Sequence, residues 1–169
     1  MTKRNHKTET DLLLPGTERL DEKSREELVF TLKLSQIQFL IQKGHLAVAD
    51  RDLADLLETA PEFPAAREDS AKTGVTLMRH YQNTKQDVET LDFFRRSSIL
   101  QNNAAARWLA GFACKRLNKT PEAREHLAKS IALDSAKPEP YLALGEILET
   151  EKPGEAVRLY CCYHDRFYS

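Results

Sequence analysis

Near the end of the chain, Cys161-Cys162-Tyr163-His164-Asp165 bring together thiol, imidazole and carboxylate groups, all of which zinc accepts as ligands. The spacing works against a metal. On a helix, side chains at i and i+1 point about 100° apart, so the two cysteines diverge, and the pair that shares a face is Cys161 and His164. That is two ligands where a structural zinc takes four. The two cysteines are therefore predicted to pack as small hydrophobes against the preceding helices, and no metal or other cofactor is expected. His6, His45, His80, His126 and His164 are scattered, which predicts surface or packing roles. There is no Gly-rich phosphate loop, no His-Glu-x-x-His, no Gly-x-Ser-x-Gly and no Cys-x-x-Cys. The expectation is a protein that is not an enzyme.

The composition narrows the class further. Of 169 residues, 30% are charged and 41% hydrophobic, enough for one soluble domain with a real core. Lys plus Arg number 25 against 26 for Asp plus Glu, so no bulk positive charge draws the chain to nucleic acid or anionic lipid. The longest apolar runs, such as Leu12–Leu14 and Phe39–Ile41, fall far short of the roughly 20 residues a bilayer demands. The basic N-terminus has no apolar stretch behind it to act as a secretory signal. Three cysteines without regular spacing do not form a disulfide framework and fit a reducing, cytoplasmic setting.

The elements that must position any working surface are helices, and they repeat. Ala104-Ala105-Ala106-Arg107-Trp108-Leu109-Ala110-Gly111 is echoed by Pro138-Glu139-Pro140-Tyr141-Leu142-Ala143-Leu144-Gly145, with Gly111 and Gly145 34 residues apart. In the last unit Tyr141, Leu144, Gly145, Leu148, Ala156 and Tyr160 follow an aromatic, Leu-Gly, Ala-x3-aromatic pattern. In the preceding unit Ala110, Gly111, Cys114, Ala123 and Leu127 occupy the same places. On these residues the chain resembles the tetratricopeptide repeat. Residues 30–63 fit in their second half, through Gly44, Ala49, Leu53 and Pro61. Residues 64–103 fit least: Glu89 stands where a small Ala is expected, and the unit is about six residues too long, read as a lengthened first helix from about Pro64 to Gln82. Ser24-x-x-Glu27, Asn102-Asn103 and Thr120-Pro121 are predicted as helix starts, and Gly44 and Gly154 as turns.

The resemblance implies an all-α, right-handed superhelix of antiparallel helix pairs, about seven or eight helices in all. Its units would be about 30–63, 64–103, 104–137 and 138–169, in a helical domain over 23–169 behind a mobile tail, residues 1–22. It also implies a concave groove, lined by the first helix of each pair, that binds a peptide or helix of a partner protein. Mapped by register, that groove would hold Leu34, Gln38 and Ile41, then Met78 and Tyr81, then Trp108, Phe112, Lys115 and Arg116, and finally Leu142, Glu146 and Glu149. The expected role is an adaptor or chaperone-like scaffold. The carboxylate clamp of the family's heat-shock cochaperones is not supported, since Leu34, Gln38, Ala105 and Leu109 stand at its positions. Tyr160, Tyr163, His164 and Phe167 form one stripe of the last helix. The stripe is expected to pack inward, with a possible second interface at Tyr160, Tyr163 and Phe167 for a homo-oligomer as the alternative.

Overall fold

The computed structural model describes residues 21–58 and 64–168, so Leu12–Leu14, Pro61 and most of the expected tail lie outside the described residues. Among the described residues eight α-helices follow one another: α1 Glu22–Gln42, α2 Leu46–Glu58, α3 Pro64–Asn83, α4 Asp87–Arg96, α5 Ala104–Arg116, α6 Thr120–Leu133, α7 Glu139–Glu151 and α8 Pro153–Phe167. A single 3-10 turn, Ser98–Leu100, interrupts the link between α4 and α5. Among the described residues there is no strand.

Helix starts are set by local chemistry, and two differ from expectation. The Asp21 carboxylate accepts the Ser24 amide at 2.8 Å, which starts α1 ahead of the predicted Ser24-x-x-Glu27 box and draws Glu22 out of the expected tail. The same hydrogen bond holds the Asp21 carboxyl below its ordinary value. Thr120 is the first residue of α6 rather than its cap; Lys119 precedes it with no side-chain cap. Pro121 costs nothing there, because amides in a helix's first turn have no partner to lose. Asn103 caps α5 as predicted, accepting from the Ala106 amide at 3.0 Å.

Three of the four helix pairs close with the same turn. Gly44, Lys85 and Asn118 each adopt a left-handed conformation, with φ of 79°, 61° and 59°. In each turn the next amide reaches back to a carbonyl five residues earlier: His45 to Leu40 at 3.0 Å, Gln86 to Tyr81 at 2.8 Å and Lys119 to Cys114 at 2.9 Å. This is the Schellman arrangement. The fourth turn is shorter: the Lys152 amide bonds the Leu148 carbonyl at 2.7 Å, and Gly154, predicted to mark a turn, lies inside α8.

Aligning the pairs on this turn shows how the repeat is built. Ala49, Thr90, Ala123 and Ala156 hold one buried position, four residues after the turn ends. Thr90, not Glu89, is thus the small residue of the second unit. Gly44 to Lys85 spans 41 residues and Lys85 to Asn118 spans 33. Seven residues have therefore been added at the start of α3, and one is missing before α5. The first helices α1, α3, α5 and α7 each pack on the next, and each second helix also packs on the first helix of the following pair. One core runs through all four pairs, from Phe30 to Ala156.

Candidate functional site

The four first helices present one continuous face, and the turn alignment defines the rows that cross it. One row is Gln38, Arg79, Phe112 and Glu146, all at least partly exposed. The row beside it is Leu34, Val75, Trp108 and Leu142. It is buried at Leu34 and Val75, half-buried at Trp108 and exposed at Leu142. Of the residues expected in the groove, Gln38, Trp108, Phe112, Lys115, Arg116, Leu142, Glu146 and Glu149 are accessible, whereas Leu34 and Ile41 are buried in the core beneath α1 and line no surface.

The second set is corrected. Met78 and Tyr81 are buried and line no groove. Met78 fills the slot between α3 and α4 that Gly111 occupies in the third pair. The Tyr81 hydroxyl donates to the Asp50 carboxylate at 3.0 Å, which Arg96 also holds at 3.0 Å. The surface position lies one residue after Met78, at Arg79; Gln82, one after Tyr81, is itself buried and donates to the Leu109 carbonyl at 2.6 Å. Arg79 is exposed and has no ion-pair partner among the described residues. Counting from the turn rather than from the start of the lengthened unit would have found it.

The most organised part of this face is a ladder on α5. Trp108 and Phe112 stand one turn apart, ring centroids 6.2 Å from each other, and the Arg116 guanidinium lies 5.9 Å from the Phe112 ring. Arg116 is held from behind: its Nε meets the Asp87 carboxylate at 3.0 Å, and it donates to the Gln82 carbonyl at 3.2 Å. Asp87 is buried at the start of α4, and its Oδ1 has no partner among the described residues. Burial pushes its carboxyl up, while Arg116 pulls it down. The basic residues on α5 and the acidic residues on α7 are largely paired within the chain. Lys115 pairs with Glu146, Gln38 donates to Thr73 at 3.0 Å, and Glu149 accepts from the Tyr160 hydroxyl at 2.9 Å. Arg79 and the ladder remain.

Tyr160, Tyr163 and Phe167 of the α8 stripe turn inward, while His164 is exposed. Tyr160 lies against Gly145, whose missing side chain makes room for the ring. Tyr141 receives Phe167 edge-on at 5.9 Å and Tyr163 at 6.4 Å. Cys161 and Cys162, predicted to pack inward, are exposed instead, because the aromatic residues take the face toward α7. Among the described residues no cluster of three or more ligand-type side chains could hold a metal. The buried thiol is Cys114, pushed up to about 11 chiefly by burial, which keeps it protonated and unreactive. No described helix is long and apolar enough to cross a membrane.

No family model and no curated relative matches the sequence. Solved structures do. A crystal structure of MamA protein superposes with a TM-score of 0.63 at 18% identity, covering 80% of this chain and 72% of that one. A second MamA structure gives 0.58 at 18% identity over 76% and 72% of the two chains. A MamA point mutant gives 0.57 at 16% identity, covering 84% of each. At such identities the likeness is one of fold, and it agrees with the helix pairing described above. This chain is an all-α solenoid of tetratricopeptide-like helix pairs.

Proposed function

We propose that the protein is a non-catalytic interaction module of the cytoplasm, an adaptor or chaperone-like scaffold. It grips a segment of a partner protein in the groove along α1, α3, α5 and α7. The observation that carries this reading is the ladder Trp108, Phe112 and Arg116. Tryptophan and arginine dominate binding hot spots when they are rigid and partly shielded, and here the guanidinium is pinned in advance by Asp87 and the Gln82 carbonyl. A pinned cation loses less freedom on binding than a solvated one. Arg79 supplies a second, unpaired positive charge beside Phe112 in the row. The segment that suits this surface has an apolar anchor for the two rings and a carboxylate within reach of Arg79 or Arg116.

Trp108 is the single tryptophan, so its emission reports directly on the site. The test is capture of partners from native lysate with wild type and a Trp108→Ala/Phe112→Ala variant side by side, then titration of the captured segment against Trp108 fluorescence. A partner lost by a folded variant, with a spectral shift on titration of wild type, supports the reading. Equal capture by both proteins, or binding with Trp108 emission unchanged, removes the groove from the function.

A further inference from the structure

The pair α1–α2 has no helix pair ahead of it among the described residues, and its leading face differs from those of the later pairs. Counted from the turns, Leu32 of α1 stands where Thr73, Ala106 and Pro140 are buried. Gln36 stands where Leu77, Ala110 and Leu144 are buried. Phe39 stands where Ala113 and Ile147 are buried and His80 is half-buried. On α1 all three positions are exposed, Leu32 at 46% and Phe39 at 55%. Spaced i, i+4 and i+7, they form one stripe. The Lys43 ammonium bounds its far end, 5.4 Å from the Phe39 ring. Beside the stripe, a cleft of about 310 Å³ opens between α1 and α2. Lys33, Gln36 and Ile37 line one side of it, and Asp52, Asp55 and Leu56 the other.

The chain carries a segment that suits this face. Leu12, Leu13 and Leu14 stand seven to nine residues ahead of Asp21, with the turn dipeptide Pro15-Gly16 between. Leu32 lies eleven residues past Asp21, about 16 Å along the helix. Seven residues of extended chain span up to about 23 Å, so the leucines reach the stripe by folding back along α1. Further ahead stand Lys3, Arg4 and Lys7, with no acidic residue before Glu9. Their charge is opposite to that of Asp52 and Asp55 on the lip of the cleft.

We propose that Leu12–Leu14 docks on the Leu32–Phe39 stripe of its own chain and closes the leading end of the solenoid, with the basic residues ahead of it over the acidic lip. A terminal repeat has no neighbour to bury its leading face, and solenoids need a cap there. A segment tethered to the same helix binds at a high effective concentration, which favours it over a segment of another molecule. The contact uses no residue of the ladder on α5 and is independent of the groove.

The test is a double-mutant cycle in urea unfolding of the full chain. Leu12→Ser/Leu13→Ser/Leu14→Ser is expected to lower the midpoint by about 0.5–1 M, and Leu32→Ser/Phe39→Ser by a similar amount. All five changes together are expected to lower it no further than either set, because both sets remove one contact. In wild type, nuclear Overhauser effects are expected between the methyls of these leucines and the Phe39 ring. A mixture of copies labelled separately on leucine and on phenylalanine is expected to show none, since the contact is made within one chain. An unchanged midpoint in the leucine variant, additive losses, absent Overhauser contacts, or contacts between separately labelled copies would each overturn the proposal.

Discussion

The third and fourth helix pairs close on glycine, while the first and second close on bulk. In the C-terminal half Gly111 lies beneath Leu127 and Gly145 beneath Tyr160, and the paired backbones approach closely. In the N-terminal half the same slot holds Ile37 and Met78, both buried opposite Leu53 and Phe94, and the helices stand further apart. The antiparallel pair and its left-handed turn survive in both. Close approach is therefore one solution to filling the slot rather than a requirement of the fold. What the slot needs is a matched total volume, because interiors are packed without spare room.

The largest effect should come from emptying the slot where it is filled by bulk. Met78→Ala is expected to destabilise by about 2–5 kcal/mol, since α3 and α4 are held by Phe93, Phe94 and Leu100 and cannot collapse fully. Urea unfolding measures it; a loss below about 1 kcal/mol would mean the N-terminal pairs are loosely packed.

The reciprocal change fills the slot where it is empty. A Cβ on Gly111 would come 2.8 Å from Leu127 Cγ and 3.2 Å from His126 Cβ, close to the branch points of side chains that cannot swing away. Gly111→Ala is expected to cost about 1–3 kcal/mol, net of the helix propensity gained. Gly145→Ala should cost less, because it meets the far end of Tyr160, which can rotate toward solvent. The same urea titrations rank the two.

The turns offer a smaller change of opposite sign. Lys85→Gly relieves a left-handed residue whose counterpart in the first pair is already glycine, and is expected to stabilise by about 1 kcal/mol. Thermal unfolding should show the rise.

The smallest effect is a pH dependence placed at the contact between pairs. His126 sits edge-on to Phe94 at 5.3 Å, and its Nδ1 faces Arg107 at 3.1 Å. Burial, then the Arg107 charge, depress its pKa, with Arg95 adding to Arg107 and Glu125 and Glu122 opposing. The folded state thus favours neutral imidazole while the unfolded chain binds the proton more readily. Stability should be full above the ordinary histidine value near 6.5 and fall as pH drops through it toward the depressed one. His126→Gln should flatten this slope in melting temperatures taken between about pH 7.5 and 5.5.

The contrast between halves also explains what could be read from residues alone. Gly111, Gly145, Ala123 and Ala156 carry the repeat's signature on their faces, so the helix pairs of the third and fourth units and most of the accessible residues on their first helices were legible. Ile37 and Met78 do the same structural work with ordinary core residues, which leave no mark. In the second unit Thr90 replaced alanine, α3 gained seven residues, and the link before α5 lost one. The net length suggested six, and the count slipped by one, pointing to buried Met78 in place of exposed Arg79. The pairing of Lys115 with Glu146 and the pinning of Arg116 by Asp87 depend on neighbours distant in the chain, and no spacing within one helix reveals them. The exposure of Cys161 and Cys162 was hidden for a similar reason: three aromatic residues compete for the same inward face.

The seven residues added to α3 have a geometric consequence. Seven residues of α-helix turn through about 700°, only about 20° short of two whole rotations. Lengthening by this step therefore raises the wall at the N-terminal end by about 10 Å while leaving every row pointing where it did. The added residues precede the rows, which are set by the turn at the other end of the helix. Wall height and row chemistry are thus separate settings in this architecture. A helix can grow in two-turn increments, as Pro64–Ser70 has done, to accommodate a longer segment without re-aiming the residues that would recognise it.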